Sequence, residues 1–476
     1  MADIELCISG GQVMLDGPEP VAADLLIAGG RIAGIVAPGA GGSNSRGAAE
    51  TLDARGLLVL PGAIDPHLHL GHGNDISRPR EPGDAASETG AAAKGGITSF
   101  IPYVMSDQDH ARLHNELIAI TSAGARIDFG FHFIIATDAQ LDALPHYIAE
   151  MGVPTAKLFM NMRGNEGDRL GLPAIDDGFL FRLLRVLKAH GGMLCPHPEN
   201  IEIAWALKDE VLAADPDGAA GLASWNAARP PLIEAEALNR ACYLGRQMGV
   251  PVYGVHTSSA LALAAACEQR ALGGEVYIET CLQYLTHDVT SDVGTRGKVN
   301  PPIRTAEDRE AIWQGILSGA IDTVATDHVH RPLAAKDGTI WTASPGFPGM
   351  ETFLPVMISE GHHKRGLPLA RLADLTSRNA ARIMGLAPAK GRIAIGADAD
   401  LAIVDLEGET RVERGDIVTS AGFSIYEGWT FRGSVEHTLV RGQCVMRDRQ
   451  LLDRAVGTGT FLARRLTARP TSGQGA

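Results

Sequence analysis

The segment PGAIDPHLHLGHGND, residues 61–75, places three histidines, His67, His69 and His72, at the end of an apolar run. The residues before it, GLLVLPGAI, read as a β-strand. His67 and His69 are two apart, so a strand projects both to one face. A lone H-x-H at a strand end fits hydrogen-bonded polar residues as well as metal ligands. The choice depends on whether the rest of the chain brings further ligands to the same place.

Between residues 58 and 388, apolar β-rich runs alternate with helical segments. The runs are LLVLPGAIDPHLHL, ITSFIPYV, IDFGFHFIIA, VPTAKLFM, GGMLCPHPE, VPVYGVHTSS, EVYIETCLQYL and IDTVATDHV. Segments such as DGFLFRLLRVLKAHGG and PLIEAEALNRACYLGRQMG between them have helical periodicity. Eight strands alternating with helices predict an α/β protein built on a (β/α)8 TIM-like barrel with insertions. An open doubly wound sheet is the alternative. It usually carries a glycine-rich phosphate turn after its first strand, where this chain has DPHLHLGHG.

The flanks read differently. IELCISGGQVMLD and ADLLIAGGRIAGIVAPG each put Gly-Gly between β-rich runs, a hairpin signature. AGGSNSRGAAE reads as a surface loop, and GRIAIGADADLAIVDL and HTLVRGQCVMRDRQLL read as further strands. The expected organisation is a small β-sandwich domain formed from both termini, residues 1–57 and 389–450, around a barrel at 58–388. A C-terminal tail, 451–476, ends in the polar ARPTSGQGA, expected to be disordered or arm-like.

The 476 residues are 45% hydrophobic with a net charge of −14 and no basic stripe, so no nucleic-acid partner is expected. No run approaches the ~18 apolar residues of a membrane span, and the start lacks a secretory pattern. A cytoplasmic protein with no membrane partner is the expectation. The six cysteines form no C-x-x-C pair and sit in apolar segments, as reduced core thiols do.

In such a barrel the active site lies at the C-terminal ends of the strands. There the run ends supply His67, His69, Lys157 in PTAKLFM, His197 in CPHPE, His256 in YGVHTSS and Asp327 in VATDHVH. Taken singly, each has an ordinary explanation: a core histidine, a helix-capping aspartate, a lysine reaching solvent. Together they bring four imidazoles, a carboxylate and an amine to one rim. Neutral imidazole and carboxylate suit zinc and similar divalent ions. His67, His69 and Asp327 would hold one ion, and His197 and His256 a second. A desolvated, neutral Lys157 can take up carbon dioxide as an anionic carbamate able to bridge the two.

These residues sit in a longer series of motifs. It includes GGRIAGI, DARGLLVLPGAIDPHLHL, ETGAAAKGGITSF, AKLFM, YGVHTSS, ETCLQYLTHD, NPPIR, TDH, SRNAARIMGLAPAKGRIAIGADADLAIVDL and GTGTFLARR. In this series the chain resembles, nearly end to end, the cyclic amidohydrolases of the amidohydrolase superfamily: dihydropyrimidinases and hydantoinases, allantoinases and dihydroorotases. The resemblance implies a binuclear centre, chiefly of zinc with manganese or cobalt as alternatives, and N6-carboxylysine at Lys157. It implies a small-molecule cyclic amide substrate, such as a dihydropyrimidine, hydantoin or related ureide or imide. A metal-bridging hydroxide would attack the ring carbonyl, with Asp327 as general base and then acid, to give a carbamoyl or ureido acid. It further implies a homotetramer or homodimer. By loop alignment, Asn300 in KVNPPIR and Gly346 in SPGFPG fall where hydantoinases hold the cyclic imide.

Some positions depart from the pattern. Dihydroorotases follow H-x-H-x with an arginine that grips a substrate carboxylate, where this chain has Gly71. They also carry a histidine four residues after the metal aspartate, where this chain has Arg331. Arg331 could bind an anionic substituent, but an exposed side chain in a surface ion pair is the expectation. Hydantoinases usually place a tyrosine shortly after the lysine, where Met162, a thioether that cannot donate a hydrogen bond, stands as a substrate-pocket residue. An allantoinase, or another lactam or imide hydrolase, is the alternative within the superfamily. The contrasting class is a non-catalytic scaffold, like the collapsin response mediators that have lost metal ligands. The full ligand set here argues against it. His72 and His287 receive no role.

Overall fold

The computed structural model describes residues 3–40, 48–164, 166–167 and 171–467. Most of the AGGSNSRGAAE loop and the end of the tail, 468–476, lie outside the described residues.

The chain opens with β1 (Leu6–Val13), β2 (Val21–Ala28), β3 (Arg31–Val36), β4 (Glu50–Asp53) and β5 (Leu58–Pro61). It closes with β16 (Leu401–Arg411), β17 (Thr430–Val440), β18 (Gln443–Arg447) and β19 (Gln450–Leu451). These join in one sheet of order β19-β18-β17-β16-β5-β1-β2-β3, with β4 on β1. β5 belongs here by pairing with β1 and β16, so the small sheet takes in Leu58–Pro61, which the sequence reading assigned to the barrel.

Strand alternation explains how this sheet serves two cores. Val59, Leu401 and Ile403 join Leu6, Ile8, Leu25 and Ile27 in a cluster of the sheet's own. Leu58, Leu60, Ala402 and Val404, on the opposite face, merge with the barrel's core.

One of the two Gly-Gly hairpins is not a hairpin. Gly29 and Gly30 turn between β2 and β3 with φ of 57° and 74°, the left-handed values such a turn requires. Gly10 and Gly11 instead lie within β1, at a register shift between Ile8 and Gly11. There β1 changes partner from β4 to β5. A Cβ at Gly11 would come 2.8 Å from Val59 Cγ2, so close strand approach, not chain reversal, explains that pair.

The eight predicted runs form β6 (Ala63–His69), β7 (Ile97–Val104), β8 (Asp128–Phe129) with β9 (His132–Ile134), β10 (Thr155–Phe159), β11 (Met193–His197), β12 (Val252–Gly254), β13 (Val276–Cys281) and β14 (Thr323–Ala325) with β15 (His328–Val329). Neighbouring strands pair in parallel in the order β14-β13-β12-β11-β10-β9-β7-β6-β15. The last run closes the ring by breaking in two. Ala325 pairs with Cys281 on β13, and His328 and Val329 pair with Leu68 and His69 on β6. Between the halves, Thr326 and Asp327 turn toward the centre.

The predicted helices wrap the outside and are punctuated as their sequences foretell. Asp177–His190 starts at Asp176, whose side chain accepts the Phe179 N–H, and ends at left-handed Gly191. Pro231–Met248 ends in the same way at Gly249.

The first part of the C-terminal tail is built into the barrel rather than loose. Phe129 donates its N–H to Thr460 O (3.0 Å), and Leu462 donates to Phe129 O (2.7 Å). Fully buried Arg464 donates to Phe131 O, Met384 O and Thr155 Oγ1 at the N-terminal end of the strands.

A buried ion cluster ties the small sheet to the barrel floor. Lys390 Nζ reaches Asp128 (2.6 Å), Asp400 (2.7 Å) and Asp398 (3.1 Å), and Arg441 also pairs with Asp128. Burial disfavours the Lys390 ammonium, but the Asp400 and Asp128 carboxylates overcome it and raise its pKa above the ordinary value. Replacing Lys390 with Met strands these carboxylates without their central cation. The expected cost is about 3–5 kcal/mol, read as a lower thermal midpoint. An unchanged midpoint would show that the cluster contributes nothing net.

Candidate metal centre

Every residue expected at the rim reaches one cavity of about 70 Å³ at the C-terminal ends of the strands. His67, His69, Lys157, His197, His256 and Asp327 border it, as do Met162, Asn300 and Gly346. Ile76, Phe159, Asn161, Glu166, Val299, Val329, Arg331 and Pro345 complete the wall. A groove of about 400 Å³ near Lys94, Glu351 and Arg411 shares none of these residues.

Two residues of the centre occupy the left-handed region, unusual for side chains other than glycine. They are His256 (φ 40°) and Asp327 (φ 50°). Each is held there by its backbone N–H, which donates to Glu279 Oε1 (2.8 Å) from His256 and to His67 O (2.9 Å) from Asp327. Asp65 secures the second turn from below: its carboxylate accepts the backbone N–H groups of His67 and Thr326 and the Thr326 hydroxyl. Burial pushes Asp65 up to about 6, against these hydrogen bonds. The strained turns thereby aim two metal-capable side chains inward from strand ends.

The donor atoms fall into two sets. Asp327 Oδ1 lies 3.3 Å from His67 Nε2 and 3.7 Å from His69 Nε2. Atoms sharing an ion at about 2.0–2.2 Å sit at such separations. His197 Nδ1 and His256 Nε2 are 2.9 Å apart, and Lys157 Nζ is 3.3 Å from His67 Nε2.

Two of the four histidines, His67 and His197, have their far nitrogens tethered as ligand histidines usually are, whereas the Nδ1 atoms of His69 and His256 are buried without a hydrogen-bond partner. His67 Nδ1 is 2.6 Å from Glu279 Oε1, and His197 Nε2 is 2.9 Å from Glu199 Oε2. Each contact directs the other ring nitrogen at the centre. Burial holds the pKa of His67, His69 and His256 well below the ordinary histidine value, with neighbouring cations adding to the effect. The imidazoles are therefore neutral, as coordination demands. Burial also depresses Lys157, against the carboxylates of Asp327 and Glu279, and raises Asp327, against Lys157. The donor set fits divalent ions in kind, spacing and protonation.

The sequence reading did not single out Glu279 and Glu199. Glu279 stands alone in the apolar run VYIETC, and a buried carboxylate there needs a partner; that was the available signal. Burial pushes it up to about 8. Glu199 follows His197 at spacing two. Although burial opposes ionisation, Arg229 and His197 hold Glu199 down to about 2, and Arg229 continues the chain to Glu166. Replacing Glu279 with Gln should weaken metal affinity roughly 10–100-fold by freeing the His67 ring, measured by competition with a chelator. Unaltered affinity would deny Glu279 that orienting role.

The expectation for Arg331 requires correction. It is buried at 7% exposure, its Nε donates to Asn74 O (3.1 Å), and it borders the cavity. His72 lies outside the cavity: its ring is half exposed and 3.0 Å from Asp84. His287 is a core residue stacked on Trp429 at 5.0 Å.

The amidohydrolase family model matches residues 256–445. An allantoinase of Solibacter usitatus is 34% identical over 95% of this chain and 96% of its own. The chain belongs to the amidohydrolase family. A D-hydantoinase of Geobacillus stearothermophilus is 32% identical over 93% of each chain. Among solved amidohydrolase structures, the L-hydantoinase (dihydropyrimidinase) of Arthrobacter aurescens superposes with a TM-score of 0.87 at 27% identity, covering 97% of this chain and all of that one. That superposition takes in both the barrel and the separate sheet, since it covers 97% of this chain. Among the described residues, no helix of this family member is long and apolar enough to cross a membrane.

Proposed function

We propose that the protein hydrolyses the ring amide of a dihydropyrimidine, hydantoin or related cyclic ureide or imide. The observation carrying this reading is the convergence of all six metal-capable side chains on one buried cavity. His67, His69 and Asp327 would hold one divalent ion, and His197 and His256 the other, with zinc the best match and manganese or cobalt alternatives. Lys157, carrying a carbamate derived from carbon dioxide, would complete both sets. Support comes from its full burial, its lowered pKa and its place 3.3 Å from His67 Nε2. When bound, such ions supply Lewis acidity toward the ring carbonyl and toward water.

The chain's own groups do the rest. Asp327 stands over the cavity as the group to take a proton from the attacking water and return it to the leaving ring nitrogen. Phe159, Met162 and Val299 exclude bulk water and pack on the ring faces. Met162 offers no hydrogen bond, so Asn300 is the side chain placed to fix the ring's polar edge. Its Oδ1 accepts from Trp225 Nε1 (3.2 Å), which leaves the amide N–H₂ as donor. Gly346, at φ 96°, has no Cβ because one would lie 2.7 Å from Val329 Cγ2; it lets its loop close over the site.

Allantoin is the second reading, favoured by the allantoinase relatives at 34% identity and by Met162 in place of a tyrosine. A panel of dihydrouracil, hydantoin, 5-substituted hydantoins, allantoin, dihydroorotate and cyclic imides, compared by kcat/KM on metal-loaded protein, tests both. Ring opening of none of them would overturn the proposal.

The free, largely buried cysteines support a cytoplasmic location. Exposed Trp205, Leu232 and Tyr243 on the outer helices support a homotetramer or homodimer, to be tested by light scattering.

A further inference from the structure

We propose that Arg304 is a positioning residue for the ion assigned to His197 and His256, acting on both ligands through intervening groups. The inference rests on the two-ion reading above and adds a residue that governs one ion of the pair. Arg304 ends the KVNPPIR segment and is fully buried. Its guanidinium reaches four acceptors. Nε donates to Ser258 Oγ (2.9 Å), one terminal nitrogen to Asn226 Oδ1 (2.9 Å) and to Arg229 O, and the other to Glu234 Oε2 (3.0 Å).

One arm leads to His256. Glu234, in the first turn of the helix Pro231–Met248, accepts the Ser258 N–H (2.7 Å), the Ser258 hydroxyl (2.5 Å) and the Ser259 hydroxyl (3.0 Å). Ser258 is thus clamped between Glu234 and Arg304, two residues after His256. At φ 40°, His256 holds a conformation that its surroundings must impose. Glu279 secures this turn at the His256 N–H, and the Glu234–Arg304 pair secures it at Ser258.

The other arm leads to His197. Arg304 holds the carbonyl of Arg229, and the Arg229 guanidinium donates to Glu199 Oε2 (2.9 Å), the oxygen that meets His197 Nε2 at 2.9 Å. The opposite half of the centre is braced from Asp65, which accepts the backbone N–H groups of His67 and Thr326. One guanidinium therefore braces both histidines of one ion. A lysine ammonium would keep a charge beside buried Glu234 but presents its donors from a single point, so it cannot span the same acceptors. Arg304→Lys leaves the ion pair compensated while loosening Ser258 and the Arg229 carbonyl.

The test follows zinc release from metal-loaded protein as a chelator is raised, in wild type, Arg304→Lys, Glu234→Gln, His256→Ala and Lys390→Met. Wild type should release zinc in two steps. In Arg304→Lys one step should shift to about 10–100-fold weaker affinity while the other stays in place. The shifted step should be the one that His256→Ala removes, and excess zinc should restore the second ion in Arg304→Lys. Glu234→Gln should shift the same step, and it carries the test where Arg304→Lys fails to fold. Lys390→Met controls for lost stability: its thermal midpoint should fall with both steps unmoved. Both steps shifting together, neither shifting, or Lys390→Met shifting the same step would overturn the inference. A wild type that releases a single ion in one step fails the two-ion reading, and the inference with it. Two wild-type steps that Arg304→Lys and Glu234→Gln leave unmoved fail the inference alone. The expected shift in a protein that opens no cyclic ureide upholds the inference and fails the hydrolysis assignment.

Discussion

Lys157→Ala should retain one divalent ion where the wild type retains two, and lose about 10³-fold in kcat/KM. The reasoning starts from burial. Lys157 has no exposed surface, and its nitrogen meets His67 Nε2 and, at 4.3 Å from the centroid, the Tyr103 ring. An ammonium there would repel a cation held by His197 and His256. Burial lowers the amine's pKa to about 8, so the neutral amine that reacts with carbon dioxide is far more populated near physiological pH than in an ordinary lysine. A carbamate on Lys157 would supply the anionic oxygens that two imidazoles alone cannot. Alanine removes them, and short carboxylic acids such as acetate or propionate should restore part of the activity by occupying the same space. Full activity in the Lys157→Ala protein would sink the binuclear account.

Asp327→Asn should lower kcat/KM by about 10³–10⁴-fold, since the amide neither takes up the proton nor returns it. Its pH behaviour follows from burial, which pushes the Asp327 carboxyl up to about 7 against the opposing charge of Lys157. A raised carboxyl contributes stability that is fully present below its unfolded pKa of about 3.9 and lost as pH rises through the folded value. The metal-free wild type should therefore lose stability as pH rises through about 7, and the Asn variant should lack this component. Ion uptake requires the ionised form, so wild-type metal affinity should weaken as pH falls through the same region. His67, His69 and His256, already neutral there, add nothing to that slope. A metal affinity flat across this range would contradict the assignment of Asp327 as a ligand.

The rim was legible because period-two strands and a fixed barrel end convert sequence position into spatial position. His67 and His69, two apart in one run, and Lys157, His197 and His256 at the ends of three others, needed no alignment to be brought together. What strand logic does not encode is where a chain turns back over the rim. Arg331 reads as a surface residue because nothing local to it shows that Asn74, far away in sequence, will cover it. Gly10-Gly11 reads as a hairpin because the same dipeptide serves a reversal and a close approach between paired strands. Only the partner strand, with Val59 against Gly11, distinguishes the two. Glu279 is the instructive omission. A carboxylate in a wholly buried strand is costly unless it has a task, and here it holds the His67 ring and the His256 backbone.

The most direct test of the central claim is the bound-metal content of the protein purified after growth with zinc, measured on the same preparation used for ring opening. The account predicts two equivalents per chain, Lys157 heavier by one carbon dioxide in the intact mass, and hydrolysis of at least one cyclic ureide. Vigorous ring opening by protein that holds one ion or none, with Lys157 unmodified, would contradict it.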